Sequence, residues 1–392
     1  MDAQPQIHSR PLGRRFALPL AGSTILVTLA TSGAGLMIQL LLKEQNAPIP
    51  LITLASSLMW AGALIGSVLW GRISDRASRR LLLFITLIGV AIAMAMLIPL
   101  PPASIVGASS FLQSLMSAGF AAVSLAMVSA ASAATRRGKN LSYVSSARSF
   151  GWTIGSLASG IVLETLGFRG GFAVMTCLPM IGLLLLILLP HDRAPRVKRS
   201  ETPWKTLTAS GLADLYVGAM LRQMAIAGAF SLAYVYMDTL GISPSLMGIM
   251  SAFNPATQVL LMIVVGHVVD RIGRQRVFLI GFALSAIAVA TFGLARGPLG
   301  MAVSYTLVGI SFSSVYIGST AHIGDRVPHS GQGTMLGLYE TMRSLGGVVG
   351  PMVAGGLATW LGFRGMMFGM AIIGLLGLLT VAIGQRVRRC TQ

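Results

Sequence analysis

The chain has 392 residues, of which 54% are hydrophobic and only 10% charged, and its mean hydropathy is +0.77. A soluble protein carries about 25% charged residues, so a single water-borne core is excluded and lipid is the main solvent. A formal charge of +18 would suggest nucleic acid in a soluble chain. Here the Lys and Arg residues sit in short breaks between apolar runs, mostly in every second break, which is the positive-inside pattern of a membrane protein.

Twelve apolar spans are predicted, since a membrane helix needs about 20 apolar residues. They run over 17–42, 50–70, 81–100, 104–132, 142–165, 171–190, 211–238, 245–266, 277–296, 299–322, 333–360 and 366–385. Odd breaks carry one cation each: Lys43, Arg169, Arg296 and Arg364. Most even breaks carry clusters, such as Arg72, Arg76, Arg79 and Arg80, then Arg271, Arg274 and Arg276. The charge bias therefore places both termini in the cytoplasm. The longest polar stretch, HDRAPRVKRSETPWKTL (191–207), reads as a cytoplasmic linker between an N-terminal six-helix bundle (1–190) and a C-terminal one (208–392).

The two halves repeat each other. GRISDRASRR (71–80) returns as GHVVDRIGRQR (266–276), so Gly71, Asp75, Arg76 and Arg79 recur as Gly266, Asp270, Arg271 and Arg274. ARSFGWTIGSLASG (147–160) returns as MRSLGGVVGPMVAG (342–355), pairing Arg148 with Arg343, and LGFRG occurs at both 166–170 and 361–365. All three phrases keep one offset of 195 residues. Internal repeats of this kind mark secondary transporters, whose site lies near the midplane between the repeats.

The loop phrase resembles the G-x-x-x-D-R-x-G-R-R signature of the major facilitator superfamily, with Ser78 at the second glycine of the first copy and Gly273 keeping it in the second. Span 11 carries GGVVGPMVAGG (346–356), similar to the glycine–proline signature of drug-efflux members; span 5 has Ser156 where that signature has proline. The resemblance covers nearly the whole chain and is closest to prokaryotic drug and sugar efflux members. It implies an all-α membrane protein with twelve transmembrane helices in two pseudo-symmetric six-helix bundles. It further implies a monomer in the cytoplasmic membrane that moves a small molecule by alternating access.

Ionisable residues inside a membrane are costly and mark function. Arg222 and Gln223 lie near the middle of span 7, where the resemblance places the cavity; a cavity cation for an anionic substrate and a packing arginine are both open readings. Gln39, Gln113, Trp152, Asn254, Tyr305 and Tyr316 are the other candidate cavity residues. Arg148 and Arg343, with Glu340 one turn before Arg343, are expected to form an inner gate with the two loop phrases. Of eleven acids, most lie in loops or at helix ends, which leaves Asp238, Glu164 and Glu340 as the candidates for proton coupling. No phosphate-binding loop, metal-ligand cluster or catalytic triad is legible. No cofactor, metal or enzymatic activity is expected. The expected function is proton-driven efflux of a small organic molecule, with organic-anion transport through intramembrane arginines as the alternative.

Overall fold

The computed structural model describes residues 14–74, 76–132, 137–189, 211–327 and 331–390. They form eleven helices: α1 (Arg14–Glu44), α2 (Ile49–Ser74), α3 (Arg79–Ala95), α4 (Ala103–Ala131), α5 (Arg137–Ile187), α6 (Ala213–Ser231), α7 (Ala233–Thr239), α8 (Pro244–Ile272), α9 (Arg274–Leu294), α10 (Pro298–Arg326) and α11 (Gln332–Cys390). Helices close all their backbone hydrogen bonds within themselves, which is what lipid demands. Seven of the stretches are long and apolar enough to cross a membrane, eight if α6 and α7 form one bent span.

The two longest helices each turn once. Gly167 (φ 65°, ψ −175°) breaks α5 and Gly362 (φ 68°, ψ 178°) breaks α11. A side chain is strained at these angles, so glycine marks both turns, and both lie in the repeated LGFRG phrase. With α5 and α11 divided there and α6 joined to α7, the eleven helices fall on the twelve expected apolar runs. The linker 191–207 lies outside the described residues.

Small residues set the packing, because helices in lipid associate through close backbone approach. Gly62 and Gly66 of α2 face the backbone of Phe111 and Leu115 on α4. Gly151 and Gly155 of α5 face Ile25 and Leu29 on α1, and their repeats Gly346 and Gly350 on α11 face Met220 and Met224 on α6. Many hydroxyls inside the bundle bond to their own helix. Thr24 donates to the Leu20 carbonyl (2.7 Å), Thr28 to that of Thr24 (2.7 Å) and Ser285 to that of Gly281 (2.8 Å). Outward faces carry exposed Ile88, Leu184, Leu260 and Ile287, as expected where lipid covers them.

Helices α1–α5 pack chiefly on one another, and so do α6–α11. The two groups meet where α5 touches α8 and α2 touches α11. Those meetings gather at the end of the molecule that holds the α1–α2 loop. Gly160 of α5 lies against the backbone of Pro244 and Ser245, and Gly248 of α8 lies against Ser156 and Leu157. Gly355 of α11, the repeat of Gly160, lies against Pro50 and Thr53 of α2. Polar contacts close the same end. Gln39 donates to the Phe230 carbonyl (2.9 Å) and accepts from the Tyr234 amide (3.3 Å), a partner 195 residues away. Lys43 pairs with Asp238 at the same separation. Glu164 accepts from the Ser245 amide (3.0 Å) and hydroxyl. The molecule is thus sealed across its repeat axis at this end, opposite the basic loops.

Candidate substrate cavity

A cavity of about 340 Å³ lies among α1, α2, α4 and α5. Four helices supply its wall at helical spacing: Thr24, Thr28 and Thr31 from α1, Met59, Trp60 and Ala63 from α2, Ser114, Ser117 and Ser124 from α4, and Val144, Ser145, Arg148 and Trp152 from α5. Gln113, Phe120 and Leu125 also line it. The residues come from the middle of α1 and α2, the later part of α4 and the early part of α5. This places the cavity between the molecule's midplane and its basic end. Trp60 also lies against Gly347 of α11, so the cavity borders the seam between the two groups.

Among the described residues, the wall is an apolar surface dotted with hydroxyls and holding one formal charge, Arg148. Among the described residues Arg148 has no ion pair or hydrogen-bond partner, and its side chain is exposed to the cavity space. Trp152, one turn on, is 47% exposed. Gln113 is only 3% exposed; its Nε2 reaches the Thr31 carbonyl at 3.4 Å, and its buried Oε1 has no partner. A site of this kind can bind a small amphipathic molecule. Apolar walls supply most of the affinity of such pockets, and a few polar groups orient the ligand.

Of the residues expected to bind substrate, Gln113 and Trp152 line this cavity and Arg148, expected at a gate, joins them. The others do not. Arg222 on α6 is 2% exposed and donates from Nε to Ser285 on α9 (2.6 Å) and from Nη2 to Ser311 on α10 (3.3 Å), so it ties three helices of the second half together. Gln223 accepts from Arg343 (3.4 Å). Gln39 belongs to the sealed end. Asn254 accepts from Gln258 one turn along α8 (2.8 Å). Tyr305 packs in an aromatic cluster with Phe230 and Phe292, and Tyr316 stacks on Phe312 (5.6 Å).

Among the described residues, the expected gate cations of the second half are engaged within that half. Arg343 is held within its own half by both oxygens of Glu340 (2.9 Å each) and by the ring of Phe312 (5.3 Å). Arg274 pairs with Asp325 and donates to the Ala321 carbonyl (3.2 Å), again within one half. Arg79 is buried at the start of α3, Arg76 and Arg271 are exposed, and Gly71 has open space beside it. Asp75 lies outside the described residues, and only the helical backbone of Gly266 and Asp270 is described. The two loop copies also turn differently: Gly273 takes φ 95°, while Ser78 takes φ −60°, which any residue accepts. The three acids expected to couple protons are all engaged: Asp238 with Lys43, Glu164 with Ser245 and Glu340 with Arg343.

The major facilitator superfamily profile matches residues 20–237 and 215–389, which together span most of the sequence. The chain belongs to that superfamily. It is a transporter and an integral membrane protein, not an enzyme. It is 22% identical over 328 residues to the multi-drug resistance efflux pump PmrA of Streptococcus pneumoniae, covering 81% of this chain and 82% of the relative. It is equally similar, 22% over 327 residues, to the multidrug resistance protein MdtG of Citrobacter koseri (78% and 80% covered). Solved structures share the fold at low identity. The nucleoside transporter NupG superposes with a TM-score of 0.77 at 14% identity, covering 94% of this chain and 98% of that one. A bacterial homologue of the lysosomal transporter Spinster, in an inward-facing unoccupied conformation, gives 0.78 at 13% (94% and 96%).

The residues that sequence reasoning missed are the hydroxyls and Trp60. A signal was present. Ser114, Ser117, Ala118, Ala121 and Ser124 recur at three- and four-residue spacing, so they form one small, polar stripe on an otherwise apolar helix, and Thr24, Thr28 and Thr31 do the same on α1.

Proposed function

We propose that this superfamily member exports small, partly apolar organic molecules across a prokaryotic cytoplasmic membrane, driven by the proton gradient. The observation that carries the reading is the pairing of an amphipathic cavity near the basic end with a seal at the opposite end. If the basic end is cytoplasmic, as the charge bias requires, both termini are cytoplasmic and the cavity faces the compartment from which an exporter loads. Residues 1–190 and 208–392 act as the two bodies that rock about the cavity, joined by 191–207. The efflux relatives at 22% identity support the direction of transport.

Proton coupling acts at the sealed end. Asp238 and Glu164 both bridge the two bodies there. A proton arriving from outside would remove the charge that holds Lys43, or the acceptor that holds Ser245, and so loosen the seal. The Glu340 carboxylate, chelated by Arg343, serves its own half instead. The test is transport in proteoliposomes with an imposed pH gradient. Vectorial movement of lipophilic compounds that collapses with the gradient is expected for the wild type and is slowed in Asp238→Asn. Gradient-independent movement would sink the coupling, and no movement of any compound would sink the export reading.

The alternative organic-anion reading draws no support from Arg222, which touches serines of its own half and does not line this cavity. Arg148 does.

A further inference from the structure

We propose that the cavity selects organic anions with an aromatic or alicyclic body, with Arg148 as the counter-charge, and discriminates against lipophilic cations. This rests on the transport reading above and gives that site its substrate class.

The first ground is the charge census of the wall. Nineteen of the described residues line the cavity, and Arg148 is the one charged side chain among them, with no carboxylate in that set. A lipophilic cation entering this space would leave water to meet a like charge. An anion would gain a guanidinium fork, whose planar donors match carboxylate and phosphonate oxygens in pairs.

The second ground is internal to the chain. The repeat of Arg148 is Arg343, and Arg343 is neutralised by Glu340, three residues before it on the same helix face. The position that corresponds to Glu340 in the first half is Ser145, which also lines the cavity. The same scaffold therefore supplies its own carboxylate in one half and leaves the place open in the other. Charged side chains within membrane spans are paired or face a water-filled cavity. Arg148 is of the second kind, and a ligand anion completes it.

The third ground is the surroundings. Trp152 lies one turn beyond Arg148 and Trp60 lines the wall from α2, so two indoles share the wall with the charged group. Their large apolar faces favour an aromatic or alicyclic body. The unpartnered Oε1 of Gln113 can accept one N–H or O–H from that body.

A matched set of probes tests the proposal: 2-naphthoate, 2-naphthamide and 2-naphthylmethylammonium, which share a body and differ in charge. Binding to the purified full-length protein is read by tryptophan quenching and movement by proteoliposome flux. The wild type is expected to prefer the carboxylate. Arg148→Gln is expected to weaken carboxylate binding about tenfold or more while changing the amide by no more than about threefold, the range for losing a charge-assisted bond. Arg148→Lys should keep the preference in weaker form. Ser145→Glu, which rebuilds the Glu340–Arg343 arrangement in the first half, should abolish the carboxylate preference and raise ammonium binding. The proposal is overturned if the wild type binds the ammonium as well as the carboxylate, or if Arg148→Gln and Ser145→Glu both leave carboxylate binding intact. The outcomes separate the two readings. Arg148-dependent binding with no flux of any probe would remove the transport reading and keep the anion site. Gradient-driven flux of the ammonium with no carboxylate binding would remove the anion site and keep the exporter.

Discussion

The two halves of the chain share a glycine skeleton and differ in how they treat charge. Gly151, Gly155 and Gly160 on α5 occupy the positions of Gly346, Gly350 and Gly355 on α11, and each trio packs in the same way: two on the neighbouring helix of its own half and one on the other half. The arginine that precedes each trio does the opposite thing in each half. Arg148 has no partner among the described residues and lies in a cavity wall, whereas Arg343 is bound by a carboxylate, an amide and a ring. Backbone approach constrains a sequence to one residue type, so it survives duplication. Side-chain pairing can be rewritten by a single substitution, so function diverges there.

The largest effects should come from attacking what the halves share. Gly155→Leu and Gly350→Leu place a side chain against the backbone of Leu29 and Met224, where only backbone movement could make room. Overpacking of this kind costs about 1–3 kcal/mol or more. Both variants are expected to lose most of their monodisperse yield on size-exclusion chromatography, in similar degree. Gly356→Ala, which meets open space, should purify as the wild type does. If one half tolerates its leucine, the skeleton is not equivalent and the comparison weakens.

Next in size is the charge asymmetry. Glu340→Gln strands Arg343, whose side chain is mostly buried. Stranding a buried charge costs about 3–5 kcal/mol, but Glu340 itself is half exposed, which reduces the expected loss to about 1–2 kcal/mol. The thermal midpoint should fall. Arg148→Gln removes a cation with no partner among the described residues, so it should leave the midpoint unchanged or raise it. Midpoints that fall together in the two variants would show that Arg148 has a structural role of its own.

A smaller effect is expected at Arg222. Its guanidinium is buried among serines with no carboxylate bonded to it, and Ser285 and Ser311 each keep a bond to a backbone carbonyl. Replacing a buried charge by an apolar side chain of similar volume is often close to neutral. Arg222→Met is therefore expected to keep its midpoint within a few degrees and to keep naphthoate binding. Loss of naphthoate binding would return the anion site to the second half.

Much of the architecture was legible because lipid imposes it. Apolar runs of membrane length, basic clusters in alternate breaks and the repeated phrases all follow from how a helix must cross a bilayer. The turns at Gly167 and Gly362 fall in the breaks expected between 165 and 171 and between 360 and 366. The site was read less well. Arg222 and Arg148 look alike in sequence, each a cation in an apolar run, and only packing decides that one faces serines while the other faces a cavity. The hydroxyl stripes of α1 and α4 were passed over because serine and threonine also bond to their own helix and so carry a weak signal. Gln39 and Asp238 read as cavity or proton groups, yet their partners at the seal come from the opposite half, a contact that no local pattern announces.

The smallest effect concerns an ion pair that joins the two halves. Lys43 and Asp238 are repeat positions that meet across the axis, and both side chains are more than a third exposed. An exposed pair contributes about 0.2–1 kcal/mol, less than about a fivefold shift between states on the scale where 1.4 kcal/mol is tenfold. The glycine contacts at Gly160, Gly248 and Gly355 bury backbone against backbone at the same end and should carry more of the closure. In a double-mutant cycle of Lys43→Gln and Asp238→Asn, labelling of a cysteine placed at Thr53 would report opening of the seal. The cycle should return a coupling below about 1 kcal/mol, with each single variant labelled only a few-fold faster than the parent. A coupling several times larger would mean that the ion pair, not the packing, holds the molecule shut. A proton on Asp238 alone would then suffice to open it.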